Sequence, residues 1–241
     1  VVLAAGAGTR LRPLTRHRPK ALCPVGNVAL VDLALERVHS VVPTAAVNVH
    51  HGREQLEAHL DGRAHLSIEE ERPLGTAGAL GHLRGWLDGR GAVVVNADAW
   101  CPGTLDRLVD DWDRERARLL VVDGNELHPG SRIAGCLLPW TAVAALEAVP
   151  SGLYEVCWRP WAERGAVEVI RHDGPFVDCG TPADYLAANL ASSGGHPVIG
   201  DGAVVDGFVE RSVVWPRAVV HGDEALVDAV RTDTGITVLV R

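Results

Sequence analysis

The stretch Leu3-Ala4-Ala5-Gly6-Ala7-Gly8-Thr9-Arg10-Leu11-Arg12-Pro13-Leu14-Thr15 decides how the chain is read. Residues 1–5 are wholly apolar, which suits a short buried strand, and two glycines follow at once. Glycine after a buried strand lets backbone N–H groups approach an anion closely, and a nearby cation reinforces them. The spacing is not the G-x-x-x-x-G-K-[ST] of a P-loop. Nor is it G-x-G-x-x-G, since Leu11 stands where the third glycine belongs. Arg18-Pro19-Lys20-Ala21-Leu22 then adds positive charge. Five of the 23 basic residues and none of the 31 acidic ones lie in residues 1–31, so this segment carries +5 and the remainder −13 of the net −8. Without its glycines the segment would read as a solvated basic loop.

The rest of the composition narrows the class. A chain of 241 residues that is 47% hydrophobic and 22% charged, with 26 Gly and 14 Pro, can bury a sizeable core. It is neither collagenous, disordered nor a disulfide scaffold. The net −8 argues against a nucleic-acid-gripping surface, whereas a local +5 suits a small polyanion. Cys23, Cys101, Cys136, Cys157 and Cys179 are an odd set without a C-x-x-C pair. They imply neither zinc nor a disulfide framework, and a cytoplasmic setting is expected. No apolar run approaches the roughly 20 residues that span a bilayer, so no membrane partner is expected. The apolar start also lacks the basic n-region of a signal peptide.

Outward from the opening stretch, strand-like and helix-like segments alternate. Strands are expected at 1–5, 45–49, 65–69, 92–96, 118–122, 133–139, 166–171 and 176–178. Helices are expected at 28–41, 54–60, 75–86, 105–116, 141–148, 153–164 and 182–192, the last capped by Thr181. Pro160 requires a break or a first turn inside 153–164. This alternation predicts a doubly wound, Rossmann-like α/β fold with a mostly parallel sheet, whose ligands bind beyond the carboxyl ends of the strands. Both the glycine loop and Asp98 fall at such ends.

Ser192-Ser193-Gly194-Gly195-His196-Pro197 reads as a linker, dividing a 1–192 domain from a 193–241 tail. In the tail, short apolar pairs such as Val198-Ile199, Val213-Val214 and Ala229-Val230 recur between turns. Such spacing predicts a short left-handed β-helix-like coil, with antiparallel hairpins as the competing reading. Exposed rungs offer unpaired edges, so a homo-oligomer built through the tail stands beside a monomer with a capped one.

Gly6-x-Gly8-Thr9-Arg10-x-x-Pro13-x-Thr15, followed by Arg18-Pro19-Lys20-Ala21-Leu22-x-Pro24-Val25-Gly26, resembles the N-terminal signature of the sugar-nucleotide pyrophosphorylases. The mannose-1-phosphate guanylyltransferase-like group is the nearest flavour. Val47-Asn48-Val49-His50-His51 resembles the family's second-strand segment, and Leu74-Gly75-Thr76-Ala77-Gly78-Ala79-Leu80 its nucleoside-contacting helix start. Val94-Val95-Asn96-Ala97-Asp98 resembles the strand end that bears a metal-binding aspartate. Phe176-Val177-Asp178-Cys179-Gly180-Thr181-Pro182 resembles the segment supplying a second one, and Ser212-Val213-Val214-Trp215-Pro216 the family's β-helix tail.

The resemblance implies an enzyme that joins an NTP to a sugar 1-phosphate. An oxygen of the sugar phosphate attacks the α-phosphorus and pyrophosphate leaves in line, so catalysis is mainly positioning and charge neutralisation. By resemblance, Mg²⁺ is held by Asp98 and Asp178, Arg10 stabilises the departing pyrophosphate, and Lys20 neutralises the reacting phosphates. Leu3, Ala4, Ala5, Gly6, Gly8, Thr9, Gly75, Thr76 and Asn96 contact the nucleotide, and Glu155 and Arg132 are candidates for the sugar phosphate. Plainer roles compete. Aspartates after strands often cap helices or turns, and Gly75 and Gly78 would also suit close helix packing. His50 and His51 are adjacent on a strand and point to opposite faces, which fits a packed or solvated pair better than a metal site. Cys179 stands where the family has an aliphatic residue and reads as a small core side chain. Residues 123–132 form a short excursion without the family's sugar-phosphate lysine, and Lys20 is the chain's only lysine; Arg132 or Arg159 would have to substitute. Two other activities fit the same residues: cytidylyl transfer to phosphocholine, and a non-catalytic nucleotide-sugar sensor.

Overall fold

Short runs of Val, Leu and Ala with no polar alternation suit strands buried on both faces. The computed structural model, which describes residues 1–240, turns them into a sheet. Two compact units result. The first comprises Val1–Gly6, Ala34–Ala97 and Cys101–Phe176. Its strands are β1 (Val2–Leu3), β2 (Ala46–Val49), β3 (His65–Ile68), β4 (Ala92–Asn96), β5 (Ala117–Val121), β6 (Ile133–Leu138) and β7 (Val167–Arg171). They lie in the order β7-β5-β6-β4-β1-β2-β3. Neighbours are parallel except β6, which runs antiparallel between β4 and β5. Every residue of β2 and β5 is buried. The expected parallel-rich α/β sheet is therefore present. Leu3 pairs with Asn48 on one side and Asn96 on the other, so two polar side chains flank β1 at its carboxyl end.

Several helices are shorter than their periodicity suggests. The segment 105–116 yields only the turn Asp106–Val109. Asp111 and Arg114 adopt positive φ, and the Asp113 carboxylate accepts the N–H groups of Glu115 and Arg116, which bends the chain away from a helix. The segment 75–86 divides at Leu83 into Gly75–His82 and Arg84–Leu87, and 141–148 shrinks to Trp140–Ala144. Tyr154–Trp158 forms a π-helical turn that runs into Arg159–Ala162. Pro160 sits in the first turn of that last helix, where its missing N–H is harmless.

The second unit gathers Ala7–Leu33, Asp98–Trp100 and the chain from Val177 onward. Its helix Pro182–Ser192 starts as expected, with the Thr181 hydroxyl accepting the Asp184 N–H at 3.2 Å. The helix buries Tyr185 and Leu186 in one core with Leu11, Leu14, Cys23 and Trp215. The Tyr185 hydroxyl donates to the Pro24 carbonyl and accepts from Trp215 Nε1 at 3.0 Å. A cut at residue 192 would run through this core, because the opening loop, the helix and the tail share it. In the tail, Val198–Ile199, Val213–Val214 and Ala229–Arg231 stack in parallel. Val204–Val205 stacks on Val219–Val220, and Phe208–Glu210 on Ala225–Val227, also in parallel. Each of these four pairings joins a strand to the third one after it. Only Thr237–Leu239 returns antiparallel, onto Ala229–Arg231. Among the described residues all five cysteines are free and buried, and no helix is long and apolar enough to cross a membrane.

Candidate active site

Four of the charged residues singled out in the sequence, Arg10, Lys20, Asp98 and Asp178, meet in the second unit. Lys20 opens the 3-10 turn Lys20–Leu22 directly after Pro19. Its side chain is 8% exposed, and Nζ donates to Asp98 Oδ2 at 3.0 Å and to Asp178 Oδ1 at 3.4 Å. The two aspartates are brought together by the short antiparallel pair Ala99–Trp100 with Val177–Asp178, and the Cys179 N–H donates to the Asp98 carbonyl at 3.0 Å. Their carboxylates remain 47% and 45% exposed. Two anions around one buried ammonium compensate its desolvation while keeping oxygens open to solvent. Arg10 Nη2 reaches Asp178 Oδ2 at 3.6 Å, but with its side chain 70% exposed the pairing is weak and the guanidinium can swing to another anion.

The glycine loop is packed onto this cluster. Gly8 has φ +59°, and a Cβ there would sit 2.9 Å from Lys20 Cβ and 3.1 Å from Thr15 Cγ2. The Thr15 hydroxyl donates to the Gly8 carbonyl at 2.8 Å and pins the turn. Glycine at 8 is therefore demanded by backbone conformation and by close approach of the lysine stem. At Gly180 a Cβ would lie 2.9 Å from Arg10 Nη2, so that glycine leaves room for the arginine. Burial pushes the Cys179 thiol up to about 12, in keeping with a core residue.

In the first unit the other candidates are mostly backbone. The Ala4 N–H is committed to Asn48 Oδ1 at 2.7 Å, and the Ala5 carbonyl meets His51 Nδ1 at 3.1 Å. Ala4 therefore has no free N–H for a phosphate, whereas Gly6 is exposed and has nothing within 4 Å of its Cβ direction. A Cβ on Gly75 (φ +71°) would lie 2.5 Å from the Ser151 carbonyl oxygen, and one on Gly78 2.2 Å from that of Val149. Close packing accounts for both glycines. The Thr76 hydroxyl accepts the Leu153 N–H at 2.8 Å. Leu3, Thr76 and Asn96 line one small pocket with Cys136, Leu153 and Trp158, where Trp158 Nε1 is buried without a hydrogen-bond partner. His50 and His51 are a packed edge-to-face pair bonded to the Glu69 and Ala5 carbonyls. Glu155 is exposed. Arg132 Nε donates to Asp123 Oδ2 at 2.8 Å, which lowers the Asp123 carboxyl below its ordinary value.

Glu69 is the residue that sequence reasoning missed. It is 3% exposed, and its carboxylate accepts from Asn48 Nδ2 and from the Leu74 N–H, each at 2.7 Å. The available signal was its place at the end of a strand, first of three consecutive acids and just before Leu74-Gly75-Thr76.

Comparison with known proteins adds to this geometry. Residues 1–128 match the family model described as nucleotidyl transferase. An N-acetylmuramate alpha-1-phosphate uridylyltransferase of Caulobacter vibrioides is 41% identical over 129 residues, covering 48% of this chain and 53% of that protein. A mannose-1-phosphate guanylyltransferase of Mycobacterium tuberculosis is 35% identical over 123 residues, covering 48% of this chain and 34% of that one. The chain thus spans about half the length of the first relative and a third of the second. A solved Thermus thermophilus structure described as a mannose-1-phosphate geranyltransferase superposes with a TM-score of 0.69 over 98% of this chain and 93% of its own. At 17% identity that likeness bears on the fold alone.

Proposed function

The chain belongs to the nucleotidyl transferase family, and on that premise we propose that it joins an NTP to a sugar 1-phosphate, forming an NDP-sugar and pyrophosphate. The observation that carries this reading is the buried Lys20 ammonium bonded to two half-exposed carboxylates. In the reaction an oxygen of the sugar phosphate bonds to the α-phosphorus while the bond from that phosphorus to the β-phosphate bridge breaks. The attacking phosphate is already an anion, so no general base is needed. What the protein must supply is positive charge and alignment. Lys20 neutralises the reacting phosphates, and the exposed Arg10 takes up charge on the departing pyrophosphate. Gly6, Gly8 and Thr9 offer backbone to the phosphates, and Leu3, Thr76 and Asn96 flank the nucleoside.

Asp98 and Asp178 suit Mg²⁺, a hard cation that needs only one or two carboxylates when water and phosphate oxygens complete its shell. When bound, it would supply further neutralisation of phosphate charge. The acceptor's phosphate is assigned to Arg132 and its sugar hydroxyls to Glu155. We also read the tail as a left-handed β-helix able to pair with a second copy, and the setting as cytoplasmic, in line with five free thiols.

The test is pyrophosphate release from purified protein with Mg²⁺, a panel of NTPs and a panel of sugar 1-phosphates. One pairing is expected to turn over, and Lys20→Ala or Asp98→Ala to abolish it. Phosphocholine with CTP belongs in the same panel, and turnover there alone would replace the sugar-phosphate reading. Binding of a nucleotide sugar with no pyrophosphate from any pairing would mark a sensor instead.

A further inference from the structure

Within the first unit an unbroken hydrogen-bond relay joins the exit of β1 to the start of the helix Gly75–His82. The Ala4 N–H donates to Asn48 Oδ1, Asn48 Nδ2 donates to Glu69 Oε1, and the Leu74 N–H donates to Glu69 Oε2, each at 2.7 Å. Both side chains are 3% exposed. Glu69 is further fixed by its own backbone, whose N–H donates to the Val49 carbonyl at 2.9 Å and whose carbonyl meets His50 Nδ1 at 2.6 Å. A carboxylate so deeply buried is costly unless every oxygen is satisfied. Here both oxygens are used by neutral donors that lie on the two segments flanking it, and neither is left for a ligand.

We propose that the Asn48–Glu69 pair is a positioning device for nucleotide binding. It sets the spacing between the backbone leading from Ala4 into Gly6 and the turn at Leu74–Thr76, the first-unit segments that carry Gly6 and Thr76, both assigned to the nucleotide. The inference rests on that assignment. Glu69 does not touch substrate; it acts through the two loops it holds. The donor and acceptor pattern makes the role testable, because it can be reversed without changing the sum of charges. In Glu69→Gln alone, one of the two donors loses its acceptor. In Asn48→Asp alone, two acceptors face each other. In the combined Asn48→Asp/Glu69→Gln variant, the carboxylate at 48 accepts from the Ala4 N–H and from the amide at 69. That amide's carbonyl then accepts the Leu74 N–H, and every group is satisfied again.

The experiment measures thermal midpoint, NTP KM and kcat for wild type, both single variants, the combined variant and Glu69→Asp. The last keeps charge and acceptors but is one methylene too short to span both donors. Each single change is expected to raise the NTP KM about tenfold or more, with a smaller change in kcat. The combined variant is expected to return KM to within about threefold of wild type. If the combined variant folds yet keeps a raised KM, a carboxylate is needed at 69 itself and the relay is overturned. If Glu69→Asp lowers the thermal midpoint with KM unchanged, the pair is merely structural and the inference again fails. That comparison stands even where the single variants do not fold. A wild type that binds no NTP at all would instead sink the functional assignment on which the inference rests.

Discussion

In the first unit the Glu69 carboxylate is 3% exposed and meets neutral N–H groups, whereas in the second Asp98 and Asp178 are nearly half exposed and share the ammonium of Lys20. The contrast separates a frame from a site. A buried acceptor with both oxygens committed has nothing left to bind with, and removing a partner strands a polar group away from water. A half-exposed carboxylate can lose its partner to water at small cost, and its outer oxygens are available to a cation or to rearrangement around a phosphate. Stability and nucleotide binding should therefore follow changes in the first arrangement, and the chemical step changes in the second.

The largest expected effect tests the second half of that statement. Lys20→Met should lower the rate of pyrophosphate release by about 10²–10³-fold, the loss typical of removing one preorganised charge-stabilising group. The thermal midpoint should move little, because the substitution removes a buried ammonium and leaves two carboxylates that water can reach. Lys20→Arg should not rescue the rate, since the lysine stem is packed against Gly8 and a forked guanidinium needs more room. A large fall in midpoint, with activity tracking the folded fraction, would make the cluster a structural ion pair and erase the contrast.

Next in size comes a pair of glycines one residue apart in the pattern but in different units. Gly8→Ala meets positive φ and the Lys20 and Thr15 side chains, so it should cost more than about 1 kcal/mol by chemical denaturation. Gly6→Ala meets nothing within 4 Å and should leave stability unchanged. Activity lost in stable Gly6→Ala would mean that a substrate comes close to the backbone there. Activity kept would move the phosphates away from Gly6 and weaken its assignment.

Much of this was legible in the sequence because local signals and long-range ones agreed. The buried apolar strands, the Thr181 cap and the glycine loop are local patterns with one physical solution each. Lys20, Asp98 and Asp178 lie far apart in the chain, yet each sat in a recognisable motif and the structure brings all three together. What escaped reading depends on partners that no local pattern names. Asp113 holds a turn where its neighbours' periodicity favoured more helix, by bonding two N–H groups ahead of it. The relay needs Asn48 and Glu69 on adjacent strands, and their pairing follows from register rather than from spacing. The helix Pro182–Ser192 shares a core with both the opening loop and the tail through Tyr185, which composition at the linker could not reveal.

At neutral pH the smallest expected effect concerns a property that the two units hold in common, and so limits how far the contrast reaches. Burial pushes Cys157 in the first unit and Cys23 and Cys179 in the second up to about 12 from an ordinary 9.0. A pKa raised on folding stabilises the native state fully below the unfolded value, and that contribution is lost as pH rises from 9.0 toward 12. Thiols should thus leave stability flat around neutrality. Near pH 10 the loss should be about 1 kcal/mol per thiol, since the unfolded chain releases protons that the folded one keeps. Denaturant midpoints measured across that range, alongside thiol-reagent kinetics under native conditions, check both parts. Rapid labelling of the second unit's thiols alone would mean that its core opens more readily than the first unit's. The Lys20 cluster would then sit on a yielding base, and its preorganisation would have to come from bound substrate rather than from the fold.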